Sequence, residues 1–292
     1  MMSYDFKTLT HAKWILVGEH SVLRGNPAIV MPLKAYQLHL AYQQQEDKLT
    51  ADFTGSNGSE VHILFWSVIE HGLTLINKSI NEISGHFILT NDIPIGAGMG
   101  ASAALCVAIA RWFHHKKWIL EHEILNFGQQ LEDLFHGKSS GLDITGVNSQ
   151  QGVLFQHDKQ NPIIQTWQPQ WYLSFCGQIG ITAQCVNKVA KLWEDQPQLA
   201  QHIDAQMNKA VEEAVSSLKT ENRVQLANAI NLSCDCFKQW DLISEGMHNH
   251  MNQLRQAGAI AVKPTGSGEG GYVLSLWDSK PNVSLPFELT PA

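Results

Sequence analysis

"PIGAGMGASAA" (residues 94–104) sets glycine at three of five consecutive positions, follows with small residues and one serine, and runs directly into the apolar "LCVAIARWF" (105–113). A stretch this bare gives up packing and backbone entropy, so it is usually present because something must approach the main chain closely. The apolar run after it predicts a helix over 102–116, whose first turn would leave unpaired N–H groups beside the glycines.

Three readings of this loop compete. In the plainest, glycine supplies positive φ for a tight turn and Ser102 caps the helix. In the second, Gly96-Ala97-Gly98-Met99-Gly100-Ala101 is the G-x-G-x-x-A of a dinucleotide site, with Glu121 twenty residues beyond Ala101. That motif needs a strand running into its first glycine, and Asp92 and Pro94 interrupt the approach. In the third, main-chain amides at the positive end of the helix cradle a polyphosphate. No G-x-x-x-x-G-K-[ST] occurs in the chain, so such a cradle is not a P-loop.

Upstream, the first ninety residues read largely as strands: "KWILVG" (13–18), "PAIVMPL" (27–33), the alternation Tyr36, Leu38, Leu40, Tyr42, and "HFILT" (86–90), with one helix expected over 61–76. Downstream, a second helix is expected over 119–135, then short strands near 152–156, 163–167 and 171–178, a helix-rich stretch over 185–257, and a closing glycine turn and strand in "AVKPTGSGEGGYVLSL" (261–276). Strands and helices come in blocks, which makes the expected class α+β. A length of 292 residues suits one large domain or two tightly joined, and no linker tract marks a boundary. The division is therefore set at 1–160 and 161–292.

With 44% apolar and 16% charged residues the composition is that of a soluble globular protein, and a net charge of −7 argues against nucleic acid as a partner. "HHKK" (114–117) reads as a solvated helix end. The N-terminal "MMSYDFKTLT" lacks the apolar core of a secretory signal, and no run reaches the ~18 apolar residues of a membrane span. Five cysteines without framework spacing favour reduced thiols and a cytoplasmic setting. Cys234 and Cys236 near His248 and His250 lack a second paired-ligand cluster at zinc spacing and read as ordinary side chains.

Four stretches in order, "KWILVGEHSVLRGNPAIVMPL" (13–33), "PIGAGMGASAA" (94–104), "HGKSSGLD" (136–143) and "KPTGSGEGG" (263–271), resemble the motif set of the GHMP kinases over nearly the whole chain. "GEHSVLRGNPA" and "HGKSSGLD" are most similar to the branch that phosphorylates mevalonate, where the patterns are GEHAVVHGxPA and HGxPSGxD. The resemblance implies a ribosomal-protein-S5-like N-terminal ATP-binding domain and a ferredoxin-like C-terminal domain. It also implies ATP and Mg²⁺, a small hydroxylated acid such as mevalonate as acceptor, and no membrane partner, and it leaves room for a homodimer.

Phosphoryl transfer asks for a phosphate cradle, metal ligands and a group that takes or steers the hydroxyl proton. By the resemblance, Pro94, Gly96, Ala97, Gly98, Met99, Gly100, Ala101 and Ser102 form the cradle, Ser102 also ligates Mg²⁺, and Ala101 stands where the family has a first serine. Glu132, eleven residues before Asp143, takes the place of the acidic metal ligand, with Asp133 as the competing carboxylate. Asp143 is the expected base and Lys13 its partner. Glu19 and His20 fall in the motif that lines the acceptor site, as do Gly266 and Ser267 of the closing loop, while His136 and Ser140 are expected to hold the turn that delivers Asp143. Glu269 breaks the family's glycine run, and a carboxylate beside triphosphate is unfavourable unless it turns to solvent or helps the metal. The rival readings are a phosphomevalonate kinase or another GHMP small-molecule kinase, with diphosphomevalonate decarboxylase fitting less well, and, in a different class, a catalytically silent nucleotide-binding regulator.

Overall fold

The computed structural model describes residues 4–136, 139–156 and 159–292. They form two compact units, each assembled from separate stretches: Met1–Lys13, Pro32–Ile95 and Gly100–Asn148 make the first, and Trp14–Met31, Gly96–Met99 and Ser149–Ala292 the second. The chain passes between units inside β1 (Phe6–Val17), inside β2 (Ala28–Lys48) and twice within the glycine loop, so the compact units do not follow a single cut in the sequence. The two strands expected over 27–33 and 36–42 are one 21-residue strand, β2. Pro32 costs it a backbone donor but does not oppose extended φ.

In the first unit, β3 (Thr50–Thr54) lies parallel to β4 (Ser84–Asn91), joined by the crossover helix α1 (Gly58–Leu75), and the later part of β2 pairs antiparallel with β4 from Leu38↔Asn91 to Gln43↔His86. Alternation along β4 turns Phe87 and Leu89 inward. The Phe87 ring meets Tyr42, Phe65 and Trp112 at centroid distances of 4.8, 5.1 and 4.9 Å. Helix α2 (Ala101–His115) packs on α1, on α3 (Ile124–His136) and on α4 (Leu142–Asn148). Only Ser102, Arg111, His114 and His115 of α2 are not buried, so this helix is apolar almost all round and runs through the interior. Ser102 is the polar exception at its start.

In the second unit, Ala28–Val30 of β2 pair with β5 (Val153–Gln156), and β5 with β6 (Lys159–Pro162), both antiparallel. The strand expected over 163–167 is thus found earlier, at 159–162. "KQNP" carries no apolar alternation, and its pairing with β5 makes it a strand. A separate antiparallel sheet runs β10-β7-β9-β8, from β7 (Gln170–Phe175), β8 (Ala261–Thr265), β9 (Tyr272–Trp277) and β10 (Thr290–Pro291). Between β7 and β8 the chain forms α5 (Thr182–Asp195), α6 (Pro197–Thr220), α7 (Arg223–Gln239) and α8 (Glu245–Gln256). Helix α7 packs on α6 and β8, and Met247, Met251 and Leu254 of α8 bury against Tyr172, Val262, Val273 and Trp277. With both faces covered, β8 and β9 are buried along their whole length, which makes Lys263 in mid-strand conspicuous.

Candidate active site

Within the first unit, Gly100 sits at φ 78 as the N-cap of α2. A glycine in the left-handed region starts the helix without a side-chain cap, and Ser102 lies inside the first turn. Ser102 therefore does not cap, contrary to the plainest reading of the loop. The first intrahelical bond is Ala104 N–H to Gly100 O at 2.9 Å, so the amides of Ala101, Ser102 and Ala103 have no helical acceptor. A Cβ at position 100 would stand 2.9 Å from Lys13 Cγ, so glycine is what lets the lysine stem lie against the loop.

Lys13, on β1, is buried, and its Nζ pairs with Asp143 Oδ1 at 2.8 Å. Asp143 is in the first turn of α4, after Gly141 at φ 78, and its side chain is 32% exposed, which leaves the carboxylate reachable while the ammonium is not. Glu132, on α3, is buried and its carboxyl is pushed up to about 8 by burial and by the charge of Asp143. Its Oε2 accepts a hydrogen bond from Ser139 Oγ at 2.6 Å, whereas Oε1 is buried with no partner among the described residues. Burial and the Glu132 charge also raise the thiol of Cys106, on α2 one helical turn beyond Ser102, and α3, which carries Glu132, packs on α2.

The neighbouring carboxylate is used differently: Asp133 Oδ1 accepts the Ser139 N–H at 2.6 Å and so holds the turn. In "HGKSSGLD", Gly137, Lys138 and the side chain of His136 lie outside the described residues, while Ser140 Oγ accepts from Leu142 N–H at 3.3 Å. An orphaned buried carboxylate oxygen with a half-buried hydroxyl on the facing helix is a hard donor set that suits Mg²⁺, which binds through one or two carboxylates plus phosphate and water. Among the described residues no group of three or more His, Cys, Asp or Glu side chains gathers into a protein-only metal cage. Cys234 and Cys236 are buried in α7, and His250 is hydrogen-bonded to Ser174 Oγ at 2.7 Å.

Within the second unit, Gly96 and Gly98 have φ of 73 and 80. A Cβ on Gly98 would lie 3.6 Å from Thr265 O, and one on Gly271 2.8 Å from Ala97 O, so residues 96–99 lie against the closing loop 266–271 backbone to backbone. Ala97 and Met99 are buried. His20 takes φ 58 and is buried, with Trp240 and Phe237 edge-on at 5.2 and 5.9 Å. Its Nε2 donates to the Ser267 carbonyl at 2.8 Å, and burial pushes the ring down to about 4, so it is neutral and anchors the closing loop. Ser267 Oγ lies 3.3 Å from Thr182 Oγ1.

Glu19 is also buried and forms an ion pair with Lys263, which lies over the Phe237 ring at 5.4 Å. Burial lowers the Lys263 pKa and the Glu19 charge opposes it. Removing either partner would strand a charge in the interior. Lys263 was not singled out from the sequence, although a lysine inside the otherwise apolar "AVKPT", directly before the glycine turn, was a usable signal. Of the expected residues, Lys13, Pro94, Gly100, Ala101, Ser102, Glu132 and Asp143 belong to the first unit, and Glu19, His20, Gly96, Ala97, Gly98, Met99, Gly266 and Ser267 to the second.

Residues 64–148 match the family described as GHMP kinases N terminal domain. A mevalonate kinase of Pyrococcus abyssi is 28% identical over 300 residues, covering 92% of this chain and 88% of its own. The crystal structure of L. major mevalonate kinase in complex with R-mevalonate superposes with TM-score 0.81 at 20% identity, over 98% of this chain and 96% of that one. The Methanococcus jannaschii mevalonate kinase superposes with TM-score 0.74 at 20% identity, over 94% and 91%.

Proposed function

We propose, from the premise that this chain belongs to the GHMP kinases, that it transfers the γ-phosphoryl group of ATP to the hydroxyl of mevalonate, yielding 5-phosphomevalonate and ADP. The buried Lys13 ammonium paired at 2.8 Å with the half-buried Asp143 carboxylate carries this reading. A carboxylate is a weak base toward an alkanol, and an adjoining ammonium lowers the cost of the charge that develops on the attacking oxygen. In this reading Asp143 accepts the hydroxyl proton, Lys13 aims the carboxylate, and the unpaired amides at the start of α2 receive phosphate oxygens.

Ser102 Oγ and Glu132 Oε1 would hold Mg²⁺, which when bound offsets the negative charge of the phosphates. Ser139 fixes the other Glu132 oxygen and Asp133 fixes Ser139, which favours Glu132 over Asp133 as ligand. Glu19, His20, Gly266 and Ser267 are assigned to the acceptor side, the first two through the contacts they make with β8 and the closing loop. Residues 1–160 are assigned to the ATP-binding domain and 161–292 to the C-terminal domain. The reaction is placed in the cytoplasm. No helix among the described residues is long and apolar enough to cross a membrane.

The test is ADP release with Mg²⁺-ATP and mevalonate, phosphomevalonate, homoserine or galactose in turn. Mevalonate is expected to be turned over fastest. Faster turnover of phosphomevalonate overturns the acceptor assignment, and silence with all four replaces the kinase with a nucleotide-binding regulator.

A further inference from the structure

The closing loop contains one residue that a glycine turn would not choose. Glu269 has φ 57, a region that non-glycine residues visit rarely, and it places a carboxylate among the glycines. Its backbone is tied on both sides: Glu269 N–H donates to Leu242 O at 2.7 Å, and Glu269 O accepts from Gln178 Nε2 at 2.7 Å. Gly271 N–H donates to Gln178 O at 2.8 Å. Residues 178–182, 241–242 and 266–271 are therefore stitched together at Glu269.

The side chain is held by Lys188, on the second turn of α5. Lys188 Nζ meets Glu269 Oε1 at 3.0 Å, Asp241 Oδ2 at 2.6 Å and the Asp241 carbonyl at 2.6 Å. One ammonium thus serves two carboxylates from two loops, and its bond to Asp241 and then that to Glu269 raise its pKa and keep it charged. Two residues before Glu269, Ser267 has its carbonyl taken by His20 and its hydroxyl beside Thr182. A displacement of Glu269 would be passed directly to Ser267 through the short connecting backbone.

We propose that Lys188 is a positioning residue of this kinase: by bridging Glu269 and Asp241 it halves the negative charge gathered at the closing loop, turns the Glu269 carboxylate onto α5 and keeps the loop in the form that receives the anionic substrates. The inference rests on the assignment of Gly266 and Ser267 to the substrate side. It accounts for a carboxylate in a loop that would otherwise repel a triphosphate, since Glu269 is turned onto α5 and held there by an ammonium that it shares with Asp241. Removing Lys188 leaves Asp241 and Glu269 uncompensated at the same place, and like charges then push the loop apart.

The experiment compares the unmodified protein with Lys188→Gln, Lys188→Arg, Glu269→Gly and the double variant Lys188→Gln/Glu269→Gly. Affinity for Mg²⁺-ATP is measured by calorimetric titration, alongside kcat, KM and melting temperature. Lys188→Gln is expected to weaken ATP binding by on the order of 5- to 10-fold, the scale of one solvent-screened charge at several ångströms. Lys188→Arg should stay within about twofold, because the charge is retained.

Glu269→Gly should bind ATP at least as well as the unmodified protein, and the double variant should regain most of the affinity lost in Lys188→Gln, a recovery that a merely structural role does not produce. Unchanged ATP affinity in Lys188→Gln, or a double variant no better than Lys188→Gln, overturns the proposal. If Lys188→Gln does not fold, the Arg and Glu269→Gly variants decide, and weaker ATP binding in Glu269→Gly refutes the charge argument. Wild-type ATP binding with no difference among variants defeats this inference alone, whereas no ATP binding by the unmodified protein defeats it together with the kinase assignment.

Discussion

Replacing Gly100 by alanine puts a methyl group where Lys13 now lies. Gly96, Gly98 and Gly100 all have φ between 73 and 80, so alanine at any of them costs about 1–2 kcal/mol in backbone conformation alone. At Gly98 nothing more is added, because the new Cβ would find its nearest atoms at 3.6 and 3.8 Å, which is ordinary contact. At Gly100 it would stand 2.9 Å from Lys13 Cγ, 3.1 Å from Lys13 Cε and 3.1 Å from Val147 Cγ1.

Lys13 cannot swing aside, since its stem is buried and its far end is held by Asp143 at 2.8 Å. Overpacking of this kind adds roughly 1–3 kcal/mol. Gly100→Ala should therefore melt roughly 2–12 °C below Gly98→Ala for a unit of this size. Differential scanning calorimetry without nucleotide measures the gap, and kcat should fall further in Gly100→Ala because Lys13 and Asp143 move together. Equal melting temperatures, or a Gly100→Ala enzyme with its kcat intact, would refute the packing argument.

Asp143→Asn keeps the shape of the side chain and loses the carboxylate proposed as the base, and on that proposal should lower kcat by about 10²- to 10⁴-fold with ATP affinity preserved. Lys13→Met should lower kcat too, and the double variant should lose far less than the product of the single effects. An Asp143→Asn enzyme that keeps more than about a tenth of the rate would make the residue a structural one. Glu132→Gln should raise the Mg²⁺ concentration needed for half-maximal rate, whereas Asp133→Asn should leave that dependence in place and lower the melting temperature. The opposite ranking would exchange their roles.

The stability that His20 contributes should fall on acidification, in opposition to Glu132, whose raised pKa favours the folded chain as pH drops. His20 titrates near 4 in the folded chain, because of burial first and the Arg24 charge last, against 6.5 when unfolded. Below 6.5 the unfolded chain therefore gains a proton that the folded one refuses. The loss grows from pH 6.5 down to about 4 and reaches about 3 kcal/mol by linkage. His250, also pushed down to about 4 by burial, acts in the same direction. In urea melts at several pH values the unmodified protein should lose stability relative to His20→Asn between pH 6.5 and about 4, and an identical pH dependence in the two proteins would reject the buried neutral ring.

How much was legible in advance differs between local and long-range features. The glycine loop, the interior helix after it and the helix-rich stretch before the closing strand were legible because each is specified by neighbours in the chain: glycine where φ turns positive, an apolar run where a helix is covered all round. Ser102 shows the limit of that reasoning. The residue pattern permits it to cap, and Gly100 takes the cap instead because it turns left-handed against Lys13.

Glu132 and Asp133 show the limit again, since adjacent carboxylates on a helix point about 100° apart. Only the packing of α3 on α2 and α4 decides that the first is buried with an oxygen unpaired and the second bonds the turn. "KQNP" becomes a strand only by pairing with β5. The encounters of Lys13 with Asp143, Glu19 with Lys263 and Glu269 with Lys188 join residues 130, 244 and 81 positions apart. Sequence by itself named most of these groups, because motif and side-chain chemistry are local properties. Tertiary structure chose their partners, because a charge inside a protein is stable only beside its opposite, and that neighbour is determined by how distant segments pack.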